Sequence, residues 1–189
     1  MDLSTLSTTQ IGILIAAILV VIAGIAAFPS IRKRRTERLH AQFGGAEYTR
    51  AVKEDGSRRK AEAVLSDRTQ RMERLHIQPL RSEDRARFVE SWGRVQERFV
   101  DGPGGAVTDA DQLLGDVMST RGYPVSDFEQ RVADISVDHP LVLDNYRAAH
   151  HTAVRQSQGQ ASTEDLRKAM IHYRTLFEEL VAEPDPARP

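Results

Sequence analysis

The sequence predicts an all-α protein with one N-terminal transmembrane helix followed by a multi-helix soluble domain, and three observations carry that prediction. An uncharged apolar run of 18 residues, Ile11 to Phe28, lies near the N-terminus. Five cations follow it directly: Arg32, Lys33, Arg34, Arg35 and Arg38. Beyond them apolar residues recur at helical spacings of three and four, and no stretch alternates with period two over a strand's length.

At 1.5 Å per residue the run is roughly 27 Å long, close to the thickness of a bilayer's hydrocarbon core. A cleaved signal peptide is the rival reading, because Ala and Gly follow the most hydrophobic part. The preceding tail, MDLSTLSTTQ, has no Lys or Arg where a signal peptide carries its positive region, and the positive cluster stands on the other side of the run. The positive-inside rule then places residues 1–10 outside as a short extracytoplasmic tail. It holds the basic juxtamembrane segment, 29–43, in the cytoplasm. The expected location is the plasma membrane, single-pass, with the soluble domain cytoplasmic. Arg32, Lys33, Arg34, Arg35 and Arg38 set that topology and contact anionic lipid. Within the run Gly12, Ala16, Ala23 and Ala27 share one helix face, which permits close helix packing in lipid but is also common among membrane helices generally.

The soluble domain is expected over 44–182. Gly44-Gly45 breaks the helical pattern, and a short helix is predicted from Ala46 to Glu54. Gly56 separates it from a polar helix over about 57–77, where Val64, Leu65, Met72 and Leu75 form a narrow stripe among many charges. That stripe predicts a solvent-exposed or coiled-coil-like arm. Core helices are expected over about 82–182. Pro79 ends the arm, and Ser82 with Glu83 and Asp84 reads as an N-cap with an acidic first turn. Phe88, Trp92, Val95 and Phe99 put three aromatics and a valine on one face of the helix that follows.

A turn at Asp101 to Gly105 leads into a helix through Val107, Ala110, Leu114, Val117 and Met118, which Gly122-Tyr123-Pro124 stops. Ser126-Asp127-Phe128-Glu129 reads as a capping box before Val132 and Ile135. Pro140 suits a helix start, ahead of Val142, Tyr146, Ala149 and Ala153. The last helix begins near Thr163, and Leu166, Met170, Tyr173, Phe177 and Leu180 make it the clearest amphipathic helix in the chain. Glu183-Pro184-Asp185-Pro186 ends it, and 183–189 is expected to be a disordered tail.

Charge is divided unevenly along the chain. Residues 31–100 hold 18 Lys and Arg against 11 Asp and Glu, whereas 101–189 hold 8 against 15, so the halves carry +7 and −7. With no cysteine, disulfides, thiolate metal sites and cysteine nucleophiles are excluded.

The segments FGGAEYTRAV (43–52), ERLHIQPL (73–80), RGYPVSDFEQRVADISVDHP (121–140), NYRAAH (145–150) and ASTEDLRKAMIHYRTLFEEL (161–180) resemble a family of uncharacterised bacterial single-pass membrane proteins with a cytoplasmic helical domain. The resemblance covers nearly all of the soluble part. It implies the anchor-plus-domain architecture and supplies no assigned activity, so no catalytic residue transfers.

Chemical signatures are sparse. Of the six histidines, His139, His150 and His172 are the candidates for metal ligation. A di-iron bundle would need two Glu-x-x-His motifs, and only Glu73-x-x-His76 has that spacing. There is no His-Glu-x-x-His, Walker loop, Gly-x-Gly-x-x-Gly or Gly-x-Ser-x-Gly. Arg58, Arg59 and Lys60, with Arg68, Arg71 and Arg74, suggest nucleic acid, but Glu62, Asp67 and Glu73 are interleaved with them and no recognition motif accompanies them.

The expected function is a membrane-anchored, non-catalytic module for protein–protein interaction or scaffolding, whose partners are the membrane and another protein or a second copy. No cofactor, catalytic residue or small-molecule ligand is indicated. The alternatives are a metal-binding or enzymatic helical bundle using Asp, Glu and His, or a membrane-tethered regulator that binds nucleic acid.

Overall fold

The computed structural model describes residues 8–124 and 126–182, whose regular elements are all helices, with no strand among them. The tail 183–189 and residues 1–7 lie outside the described residues, and so do the side chains of 8–32 apart from Ala17 and Leu19. The first helix, α1, spans Thr8–Asp55 and so includes the backbone of the apolar run. The side chains that would make that run a membrane span are outside the described set. Among the described residues no helix is long and apolar enough to cross a membrane.

Gly44 divides α1 into two limbs. Its φ of 67° and ψ of 165° belong to a region that side chains with a Cβ avoid, so the helix breaks where the sequence placed a break. The short helix expected over 46–54 is the second limb. Next comes α2, Arg58–Glu73, capped by the Ser57 side chain.

α2 is not a free arm. Ala61, Leu65 and Met72 are buried, packed with Leu39, Phe43, Tyr48 and Ala51 of α1, and α2 also meets the fifth helix. A three-residue stripe is enough here because the two limbs of α1 together supply two aromatics and a leucine. Val64, predicted to lie on the stripe, is 37% exposed.

α3 spans Ser82–Asp101 and α4 spans Pro103–Arg121. Ser82 is the first residue of α3 and not its cap. Arg81 occupies the cap position and makes no side-chain capping bond, while the acidic first turn is as expected. α4 ends at Gly122, whose φ of 100° closes the helix through bonds from the amides of Gly122 and Tyr123 to Ser119 and Met118.

α5 spans Phe128–Asp138. The capping box expected of Ser126 is displaced by one residue: Asp127 is the cap and accepts from the Gln130 amide, while Ser126 donates to the Pro124 carbonyl. A carboxylate one position nearer the helix makes the stronger, charge-assisted bond to an orphan amide. A 3-10 turn at Pro140–Val142 leads into α6, Leu143–Ser157, and α7 spans Thr163–Val181. A reciprocal capping box opens α7, where Ser162 and Asp165 satisfy each other's backbone amides.

The core is layered. α3 packs on α4, α4 on α7 and α6, and α6 on α7, with α5 linking this group to α1 and α2. Trp92 of α3 stacks on Phe177 of α7 with ring centroids 4.7 Å apart and planes 15° from parallel. Phe88, Trp92, Tyr173 and Phe177 are buried as the spacing predicted, and Phe99 is partly covered at the edge of the same cluster.

Candidate functional site

Three polar arrangements are set into this frame, and each draws on helices far apart in the chain. The most buried centres on Glu47, which is 4% exposed. In the second limb of α1 Glu47 and Ala51, four residues apart, are both buried, so Glu47 sits on the buried face of that limb. Arg147 of α6 donates to both its oxygens, at 2.8 and 3.1 Å, and Arg68 of α2 donates at 2.9 Å. Burial pushes the Glu47 carboxyl up, but Arg147 and then Arg68 outweigh it and hold it below the ordinary carboxylate range. The ionised carboxylate is therefore a clasp joining α1, α2 and α6. Nearby, buried Asp134 of α5 takes Arg71 at 3.1 Å and the Gln130 amide at 2.8 Å.

A second cluster gathers at Asp111 of α4. The Tyr173 hydroxyl donates to it at 3.0 Å. His150 approaches with Nδ1 at 3.5 Å, an ion-pair distance rather than a formed hydrogen bond, and its ring stacks on Phe128 at 3.7 Å between centroids. Burial would raise the Asp111 carboxyl; His150 and Tyr173 reverse the sign and hold it below its usual range. Burial first, and then the Asp111 charge, push the Tyr173 hydroxyl up, so it stays a donor at neutral pH. Tyr146, the neighbouring phenol, is pushed up mainly by burial, and its hydroxyl has no hydrogen-bond partner among the described residues.

His139 forms the third arrangement, at the end of α5. Its Nδ1 lies 3.1 Å from Glu179 of α7, and its Nε2 lies 3.3 Å from an Arg121 nitrogen that also donates to the Leu180 carbonyl. Burial and the Arg121 charge lower its pKa against the pull of Glu179, leaving a neutral imidazole near pH 7.

The metal candidates are thus dispersed. His139 pairs with Glu179 and His150 with Asp111, while His172 is half-buried on α7. Among the described residues no three His, Asp or Glu side chains come together as a metal site. Of the topology residues, Lys33, Arg34, Arg35 and Arg38 are exposed on α1, and the Arg32 side chain lies outside the described residues. Glu47, Arg147 and Asp111 were not singled out from the sequence, and Arg68 was read there only as part of a basic stripe that suggested nucleic acid. For Glu47 a signal was present, a carboxylate on the apolar face of its helix; its partners have no local signature.

One surface stands apart from these paired charges. Between α3 and α7, Trp92, Phe99, Met170 and Ile171 line an open groove flanked by Arg167 and Arg174, and Ile171 is 49% exposed. No protein-family model, curated protein or solved structure matches the chain.

Proposed function

We propose that the protein is a membrane-anchored helical module that works by binding another protein, itself or a partner, at the cytoplasmic face of the plasma membrane, and that it belongs with the single-pass proteins its segments resemble. The observation that carries the reading is the uncharged 18-residue run followed at once by five cations. Two of the polar clusters support a non-catalytic role, because Glu47 is tied to two arginines and Asp111 to the Tyr173 hydroxyl. The groove between α3 and α7 is the described surface best suited to a protein partner, since it combines a partly covered aromatic with an exposed isoleucine.

Fusing a reporter active only in the cytoplasm after Pro189 tests the topology: activity is expected, and activity only of an extracytoplasmic reporter reverses the orientation. A mature chain beginning near Ala27 removes the anchor altogether. A photo-crosslinking residue at Ile171, in native membranes, tests the interaction. Protein adducts are expected there and not at exposed Gln112; equal labelling at both positions rejects the groove.

A further inference from the structure

We infer that Arg59 and Lys60, at the start of α2 beside an Arg58 that is held by Glu62, are a second set of anionic-lipid contacts, brought by the fold alongside the cations that follow the apolar run. The inference rests on the anchor reading proposed above and extends it to a part of the chain that the sequence separates from the membrane by more than twenty residues.

The geometry comes from pairings between α1 and α2. Thr36 donates to Glu62 at 2.7 Å, and Thr69 reaches Gln42 at 3.5 Å. Positions 36 and 42 therefore match 62 and 69, so α2 runs in the same direction as the first limb of α1. One turn before Glu62, residues 58–60 come level with residues 32–34. Lys33, Thr36, Arg58, Arg59 and Glu62 line a single cleft. On the other side Arg34, Arg35 and Arg38 line a groove with Ser66, Thr69 and Gln70 of α2. Lys33 follows Phe28 by five residues, about 7.5 Å along a helix.

Among the described residues, unpaired exposed cations are concentrated at this end, although Arg74 at the far end of α2 is exposed and unpaired as well. Arg50, Arg68, Arg71, Arg87, Arg94, Arg147 and Arg174 each have a carboxylate partner. Among the described residues Arg34, Arg35, Arg38, Arg59 and Lys60 have none, and all five are exposed. Cations left without internal partners beside an apolar run suit the negative surface of a cytoplasmic leaflet, whose attraction amounts to roughly fivefold in binding for each Lys or Arg held near it. Nucleic acid is the competing polyanion. It is disfavoured here because the surface adjoins the run that would hold it at headgroup level.

The test uses the full chain, which has no cysteine, so Ala63→Cys on the exposed side of α2 accepts a single fluorophore. The labelled protein is mixed with vesicles of phosphatidylcholine alone, or with about a third phosphatidylserine, carrying a headgroup acceptor dye. Energy transfer is expected to be higher with phosphatidylserine, to fall at 1 M salt by screening, and to fall on the order of tenfold or more in anionic-lipid dependence in the Arg59→Gln/Lys60→Gln variant. Equal transfer with both lipids, or an unchanged double variant, overturns the inference. Flotation of the same samples judges the anchor separately. A chain that floats with neutral vesicles but shows no lipid-dependent transfer keeps the anchor and loses the second contact set. A chain that floats only with anionic vesicles, and only with Arg59 and Lys60 present, keeps the contact set and loses the anchor. Loss of duplex DNA retention in the double variant with lipid transfer intact overturns the inference and assigns the surface to nucleic acid.

Discussion

Thr36 and Tyr48 donate to the same oxygen of Glu62, at 2.7 and 2.8 Å. On a straight helix twelve residues would hold them about 18 Å apart. Their meeting shows that the two limbs of α1 fold toward each other at Gly44, and the contact of the His40 and Tyr48 rings at 5.2 Å agrees. Nothing lies within 4 Å of where a Cβ at Gly44 would stand, so only the backbone opposes a larger residue. Gly44→Ala should therefore destabilise the protein by about 1–3 kcal/mol, the usual strain of an L-residue in such a region. Thermal melting of the full chain in detergent checks this, and an unchanged melting temperature would show that the bend does not depend on glycine.

Arg147→Ala should be far more damaging than truncation of an exposed arginine such as Arg94. It leaves the Glu47 carboxylate in the core with one of its two cations, and breaking a buried pair in this way typically costs about 3–5 kcal/mol. Urea titration of the two variants gives the comparison. A cost for Arg147→Ala as small as that for Arg94→Ala would mean that Arg68 alone satisfies Glu47.

Trp92→Ala removes one ring of the stack with Phe177 and opens a cavity between α3 and α7. Truncations of this kind cost about 3–5 kcal/mol. A melting temperature indistinguishable from that of the parent would move Trp92 from the core to the open groove beside it.

Acid should begin to weaken the fold below pH 6.5. His139 has a folded pKa lowered from 6.5, so below pH 6.5 the unfolded chain takes up the proton first. The stability it contributes is complete above pH 6.5 and is lost as pH falls through the window between 6.5 and the lower folded value. Stability measured from pH 7.5 downward should decline in that window, and His139→Gln should flatten the decline. An identical pH profile for the variant would place the titrating group elsewhere.

Helix count and core faces were readable from local pattern. α3 and α7 carry their aromatic residues at the spacings the packing uses, because one helix face must meet one core. Caps were legible only approximately: Ser126 and Asp127 are both good caps, and which one closes the helix depends on backbone geometry one residue away. The packing of α2 was missed because Ala61, fully buried, is counted weakly as a hydrophobic residue, while Val64, a stronger one, faces out. The polar clasp was hidden for a different reason. Glu47 and Arg147 are 100 residues apart, and a pairing of that range leaves no periodic trace in either helix.

That separation also has a consequence for how the chain is made. Glu47 is added to the chain 100 residues before Arg147, which at ordinary rates of synthesis is on the order of 5–20 s. Early in that interval the nascent chain is basic, and from residue 68 onward Arg68 is the one clasp cation available, while α5 has yet to cover the stripe of Leu39, Phe43 and Ala51. Completion of the domain thus waits for its acidic half, and translation that stops before position 147 leaves a carboxylate stranded on an apolar face. Quality-control proteases and chaperones that recognise uncovered apolar surface would meet the protein at that stage rather than after release.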